Sequence, residues 1–161
     1  MLMQLVKTSF ATMTGPYLSR AAEAGDIAQM RKVVLIAGGI GIALASPVGA
    51  VALLASEWVL ALFGKEFVTG ALALQFLALG ELINVLAGPL GIALVMQKRE
   101  RLVLINEAGA SFVGLAVAVA LLPSWGLAGA GFGLLIASTV RNGANAVFFW
   151  FTNPPAQAAA A

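Results

Sequence analysis

The chain has 161 residues, 61% of them apolar and only 10% charged, with a mean hydropathy of +0.98. Those proportions lie outside the usage of a domain dissolved in water and place the chain in a membrane. It has no cysteine and no histidine, which excludes disulfides, thiolate or imidazole metal ligands and histidine acid–base chemistry, and its formal net charge of +2 is too small to argue for nucleic acid.

The first residues, MLMQLVKTSFATMT (1–14), are apolar but short and interrupted by Lys7. With no basic start and no small-residue cleavage site, they read as the end of a preceding membrane helix rather than a signal peptide. Gly15 and Pro16 are expected to end that helix. Residues 15–32 then make a loop and a short surface helix, YLSRAAEAG, stopped by Gly25. Asp26 with Gln29 three residues later resembles a capping box that opens a long helix. A chain that begins inside a helix reads as part of a longer protein.

Residues 33–151 contain four apolar stretches of membrane-spanning length. The first, 33–56, has no charge. The second, 67–97, carries only Glu81 and an internal GPLG; at about 1.5 Å per residue it would run to roughly 46 Å, so a bend at Gly88 and Pro89 or a tilt is expected. The third is 102–122 and the fourth 127–151. Helices are the only open solution in lipid, since an unclosed sheet would leave backbone groups unpaired and the alternation of a spanning barrel is missing. The predicted fold is therefore all-α and polytopic, with a disordered tail, TNPPAQAAAA, at 152–161.

The connections set the orientation. Arg20, Arg31 and Lys32 precede the first span, and Lys98, Arg99 and Arg101 separate the second from the third, whereas the two other connections carry only Lys65. The positive-inside rule makes 15–32 and 97–101 cytoplasmic. Trp58 and Trp125 then fall at the outer interface and Trp150 at the inner one, as an aromatic belt requires.

Each of the last three spans carries one polar stripe: Glu81, Asn84 and Gly88; Glu107, Ser111 and Gly114; Ser138, Arg141, Asn142 and Asn145. Two readings are open. The stripes line a substrate cavity or an ion path, or they hydrogen-bond between helices as interhelical glue. Glu81 and Arg141 each lie fourteen positions into their spans, which matches their depths and makes them candidate partners; Glu107, only about 7 Å from the cytoplasmic end of its helix, reads as an interfacial carboxylate and is the competing partner of Arg141. Gly129 and Gly133, and the small face of Gly38, Gly39, Gly41 and Ala45, predict close helix packing within the chain rather than homodimerisation. Gly88 and Pro89 are a candidate hinge, because proline frees a carbonyl one turn earlier, near Val85. No nucleophile and base stand at a recognisable spacing, so neither enzyme chemistry nor a cofactor or metal is expected.

The order of landmarks GPYLSRAAEAGD, a long apolar helix with an internal proline, LALFGKEF, LALGELINVLAGPLGIALVMQKRERL and LLPSWGLAGAGFG resembles the C-terminal part of polysaccharide flippases. These are oligosaccharide-lipid exporters of the superfamily that includes multidrug extruders and lipid II flippases. The most specific piece is Pro123, Gly126, Gly129 and Ala130 combined with LFGKEF at 62–67. The resemblance implies a partial C-terminal lobe of a two-lobe transporter in the bacterial inner membrane, working by alternating access on a lipid-linked oligosaccharide. The partners it implies are membrane lipid, that substrate and an N-terminal lobe absent here. The alternatives are a non-transporting four-helix subunit or scaffold and a multidrug-extruder relative.

Overall fold

The computed structural model describes residues 14–152. The expected preceding helix, 1–14, and the expected disordered tail, 152–161, lie outside the described residues except for Thr14, which belongs to the first described helix, and Thr152, which is the last residue of the final helix and not part of a tail. What is described is helical throughout, joined by tight turns: α1 covers 14–23, α2 is Ile27–Leu54, α3 Ser56–Ala61, α4 Ala71–Met96, α5 Glu100–Trp125 and α6 Leu127–Thr152. A 3₁₀ turn, Lys65–Gly70, leads into α4. The chain is an all-α, multi-pass membrane protein.

The helix ends follow from local chemistry. Gly25, at φ 65°, ends α1, and the Gln29 amide donates to the Asp26 carboxylate at 2.9 Å to start α2. Between α4 and α5 the Lys98 amide donates to the Val95 carbonyl at 2.9 Å and the Arg99 amide to the Leu94 carbonyl at 3.1 Å. That pairing turns the chain sharply with Lys98 in the left-handed region, φ 60°, where glycine is usual. One residue, Gly126 at φ 55°, joins α5 to α6.

Proline is a weaker boundary here than expected. Gly15 and Pro16, expected to end a helix, are themselves helical in α1. Pro47, Pro89 and Pro123 all lie inside helices, and α4 runs through Gly88–Pro89 unbroken. A proline forfeits one backbone bond; Pro89 is buried, whereas Pro47 and Pro123 are exposed, and the Ser46 hydroxyl donates at 3.0 Å to the Ala43 carbonyl that Pro47 frees.

Among the described residues three helical segments, Ile27–Leu54, Lys65–Met96 and Glu100–Trp125, are long and apolar enough to cross a membrane. The fourth expected span corresponds to α6, which is as long as α5 at 26 residues, but Ser138, Arg141, Asn142 and Asn145 interrupt its apolar run. Packing carries α6 instead, since its polar residues meet protein and not lipid. α6 lies parallel to α4 and antiparallel to α5, with Gly131 beside Ala73, Gly80 beside Ser138, and Gly133 beside Gly114. α2 runs antiparallel to α4, from Met30 beside Gln97 to Leu53 beside Gln75.

Glycines set these distances. A methyl on Gly133 would fall 2.5 Å from the Gly114 carbonyl oxygen, and one on Gly129 would fall 2.8 Å from the backbone of Leu121. Gly129 and Gly133 thus seat α6 on α5, within the chain. On α2, Gly38 and Gly41 admit the carbonyls of Leu86 and Val85, the stretch of α4 that Pro89 deprives of a donor, while Gly39 faces outward. At the basic end a core of Leu18, Met30, Val34, Leu90, Leu94 and Phe149 seats α1 against α2, α4 and α6, so the expected surface helix is anchored through Leu18, 0% exposed. Arg31 lies 4.6 Å over the Trp150 ring at the same end.

Candidate polar site in the helix bundle

α4 and α5 both pack along α6 but touch each other little, which leaves a groove between them floored by α6. Halfway along the groove the polar residues of the three helices converge. Asn84 is the hub: its amide donates to the Ser138 hydroxyl at 3.3 Å, and its carbonyl oxygen accepts from Asn142 Nδ2 at 2.7 Å and from Arg141 Nη2. Asn142 also donates to the Ser138 carbonyl at 2.8 Å. Asn106, on α5, donates to the Arg141 carbonyl and to Asn145 Oδ1, both at 2.8 Å. Asn84, Ser138, Asn142 and Asn145 are all buried. Such groups are costly in an apolar interior unless they bond one another, and these do.

Arg141 closes the network with a charge. Its Nη1 lies 2.6 Å from Glu107 Oε1, so one guanidinium spans from α4 to α5. This corrects the depth-matching expectation: the partner of Arg141 is Glu107, not Glu81. Matching residue counts from the helix starts placed Glu81 level with Arg141, but it sits nearly one turn from Asn84, which takes the guanidinium at that level. Glu81 lines the cavity on the far side of the bridge, with Ser111, Ser138 and Arg141. That cavity, toward the tryptophan-rich end, measures about 560 Å³. A second, toward the basic end and about 430 Å³, is lined by Gly88, Glu107, Arg141, Asn142 and Asn145 among others. A side chain at Gly88 would meet nothing within 4 Å, so its hydrogen keeps that cavity wide, and Pro89 is buried beside it.

Of the predicted residues, Asn84, Arg141, Asn142 and Asn145 come together in one network, Glu81 and Gly88 line the cavities on its two sides, and Pro89 stands in the helix wall. Sequence reasoning missed Asn106. Its signal was periodic: Asn106, Ala110 and Gly114 fall at four-residue steps on the face of α5 toward α6, where Ala110 and Gly114 are buried. It also missed Gln75, which donates to the Leu53 carbonyl at 3.1 Å and Ser56 Oγ at 3.0 Å and so satisfies the end of α2. Among the described residues no group of three or more acidic side chains is close enough to hold a metal ion.

No family model matches the chain, and no curated protein or solved structure is similar to it.

Proposed function

We propose that the chain is part of a membrane flippase that moves a lipid-linked oligosaccharide from the cytoplasmic to the outer leaflet of a bacterial inner membrane by alternating access. One observation carries the reading: a charged and polar bridge stands mid-length in an otherwise apolar bundle with a cavity on each side of it. Ionisable groups at such depth are expensive, face protein or water, and mark pathways more often than they serve packing. The resemblance of GPYLSRAAEAGD, LALFGKEF and LLPSWGLAGAGFG to polysaccharide flippases supplies the substrate class. On this reading the basic end is cytoplasmic, and the missing lobe closes the groove from the open side.

A second reading, a non-transporting subunit, is favoured by the way Asn84, Asn106, Asn142 and Asn145 satisfy one another, as interhelical glue does. Deleting the gene from its host separates the two. The flippase reading expects surface polysaccharide to be lost and lipid-linked oligosaccharide to accumulate in the cytoplasmic leaflet; unaltered surface polysaccharide would contradict it. Sidedness has its own check in a cysteine-free chain. Gln97→Cys is expected to be shielded from an impermeant thiol reagent outside intact cells and Ser124→Cys to react, and the reverse pattern would invert the orientation.

A further inference from the structure

Arg141 holds two acceptors of unlike character. Asn84 is 8% exposed and fixed by Ser138 and Asn142 behind it. Glu107 has a side chain 48% exposed, against 26% for Arg141, and it lies on α5, the long helix with the fewest buried residues. The amide acceptor is built in, whereas the carboxylate is held only at its tip. A guanidinium presents its donors as a planar fork that fits the two oxygens of a carboxylate or phosphate. The position taken by the Glu107 carboxylate is therefore one that an incoming oxyanion could occupy without disturbing Asn84.

The surroundings specify what carries that oxyanion. The cavity walls beside the bridge are mainly apolar, with Leu77, Leu115 and Leu135 on one side and Ile92, Val95 and Val103 on the other. Free inorganic phosphate gains nothing from such walls, but an alkyl chain does. We infer that the groove between α4 and α5 binds the phosphate of an amphiphile at Arg141, and that Glu107 is its internal competitor, a carboxylate that holds the guanidinium until the ligand's oxyanion replaces it. The inference rests on the transport reading for its biological source, since a bilayer phospholipid and a lipid-linked sugar phosphate share this chemistry. Displacing Glu107 removes the link that Arg141 makes between α5 and α4, while Asn106 still bonds α5 to α6.

The sign of one substitution decides it. The full chain in micelles of dodecyl maltoside, a detergent without phosphate, is titrated with dodecyl phosphate, and the apparent Kd is read from the concentration dependence of the thermal unfolding midpoint. Wild type is expected to bind dodecyl phosphate and not dodecyltrimethylammonium. Glu107→Gln is expected to tighten binding about tenfold by replacing the charged competitor with a weaker, neutral one. Arg141→Lys is expected to weaken it, because a point charge replaces a fork, and Arg141→Gln to abolish it. Unchanged or weaker binding by Glu107→Gln would overturn the inference even if Arg141→Gln fails to fold, as would inorganic phosphate binding as tightly as the amphiphile. Phosphatidylglycerol and a polyprenyl phosphate, titrated separately, assign the source by which is held; neither being held would also overturn it. Tightening by Glu107→Gln with surface polysaccharide intact in the gene deletion sinks the transport reading alone, and the opposite pair of results sinks this inference alone.

Discussion

The two halves of α6 are joined to their neighbours by different physics. From Leu127 to about Leu135 the helix is seated by shape: Gly129 and Gly133 lie against α5, Gly131 lies against Ala73, and the Phe132 ring meets Phe76 edge-on and Trp125 at a tilt, with centroids 5.3 and 5.9 Å apart. From Ser138 to Asn145 it is joined by hydrogen bonds and one ion pair. The first kind of contact suffices to hold helices together in lipid, since close approach gains dispersion energy with no polar group to desolvate. The second is not required by packing, and it places a charge where an apolar residue would be cheaper. The difference locates the functional question in the polar half.

The shape-based half is the more easily broken. Gly133→Leu puts a side chain where even a Cβ would lie 2.5 Å from the Gly114 carbonyl and 2.6 Å from Ala118, so α5 must move. An expected loss of about 3 kcal/mol or more follows from overpacking, read by unfolding of the purified protein in detergent. Gly143→Leu, at an exposed position with nothing within 4 Å, is the control and is expected to be nearly neutral. Equal effects would mean that glycine spacing does not seat α6.

In the polar half the hub comes next. Asn84→Leu leaves Asn142 and Arg141 donors without their shared acceptor, at an expected cost of about 1 to 3 kcal/mol in the same measurement. A neutral result would show that the network is replaceable by apolar packing. Glu107→Gln is expected to cost about 1 kcal/mol or less, because the carboxylate is half-exposed and a neutral amide keeps one hydrogen bond to Arg141. A loss as large as that of Asn84→Leu would contradict the view that Glu107 is the displaceable partner.

Much of this was legible in the residues. The apolar runs gave the helices, the basic turns gave one end of the bundle, and Gly25 and Asp26 marked the boundary between α1 and α2 through a left-handed turn and a cap. The stripe Ser138, Arg141, Asn142 and Asn145 gave the polar face of α6 by spacing alone. Pairings across helices were not legible in the same way. Counting residues from each helix start fixes depth only if the helices start level and cross upright, and the 3₁₀ turn Lys65–Gly70 before α4 breaks that assumption for Glu81. Asn106 was hidden because one polar residue beside Glu107 looks like part of an interfacial end until α6 is placed against it.

Water in the groove is the direct test of whether the polar half lines a pathway or only joins helices. Ser111 lines the larger cavity, and Phe112, its neighbour on α5, is 73% exposed on the outer surface of the bundle. The two differ in depth by only about 1.5 Å. In the cysteine-free background, the rate at which a charged methanethiosulfonate reagent modifies Ser111→Cys is compared with the rate for Phe112→Cys in liposomes. A hydrated groove predicts that Ser111→Cys reacts at least about tenfold faster, since the charged reagent travels through water and is excluded from hydrocarbon. Equal protection of both thiols would contradict the account, leaving the network as a dry joint between helices.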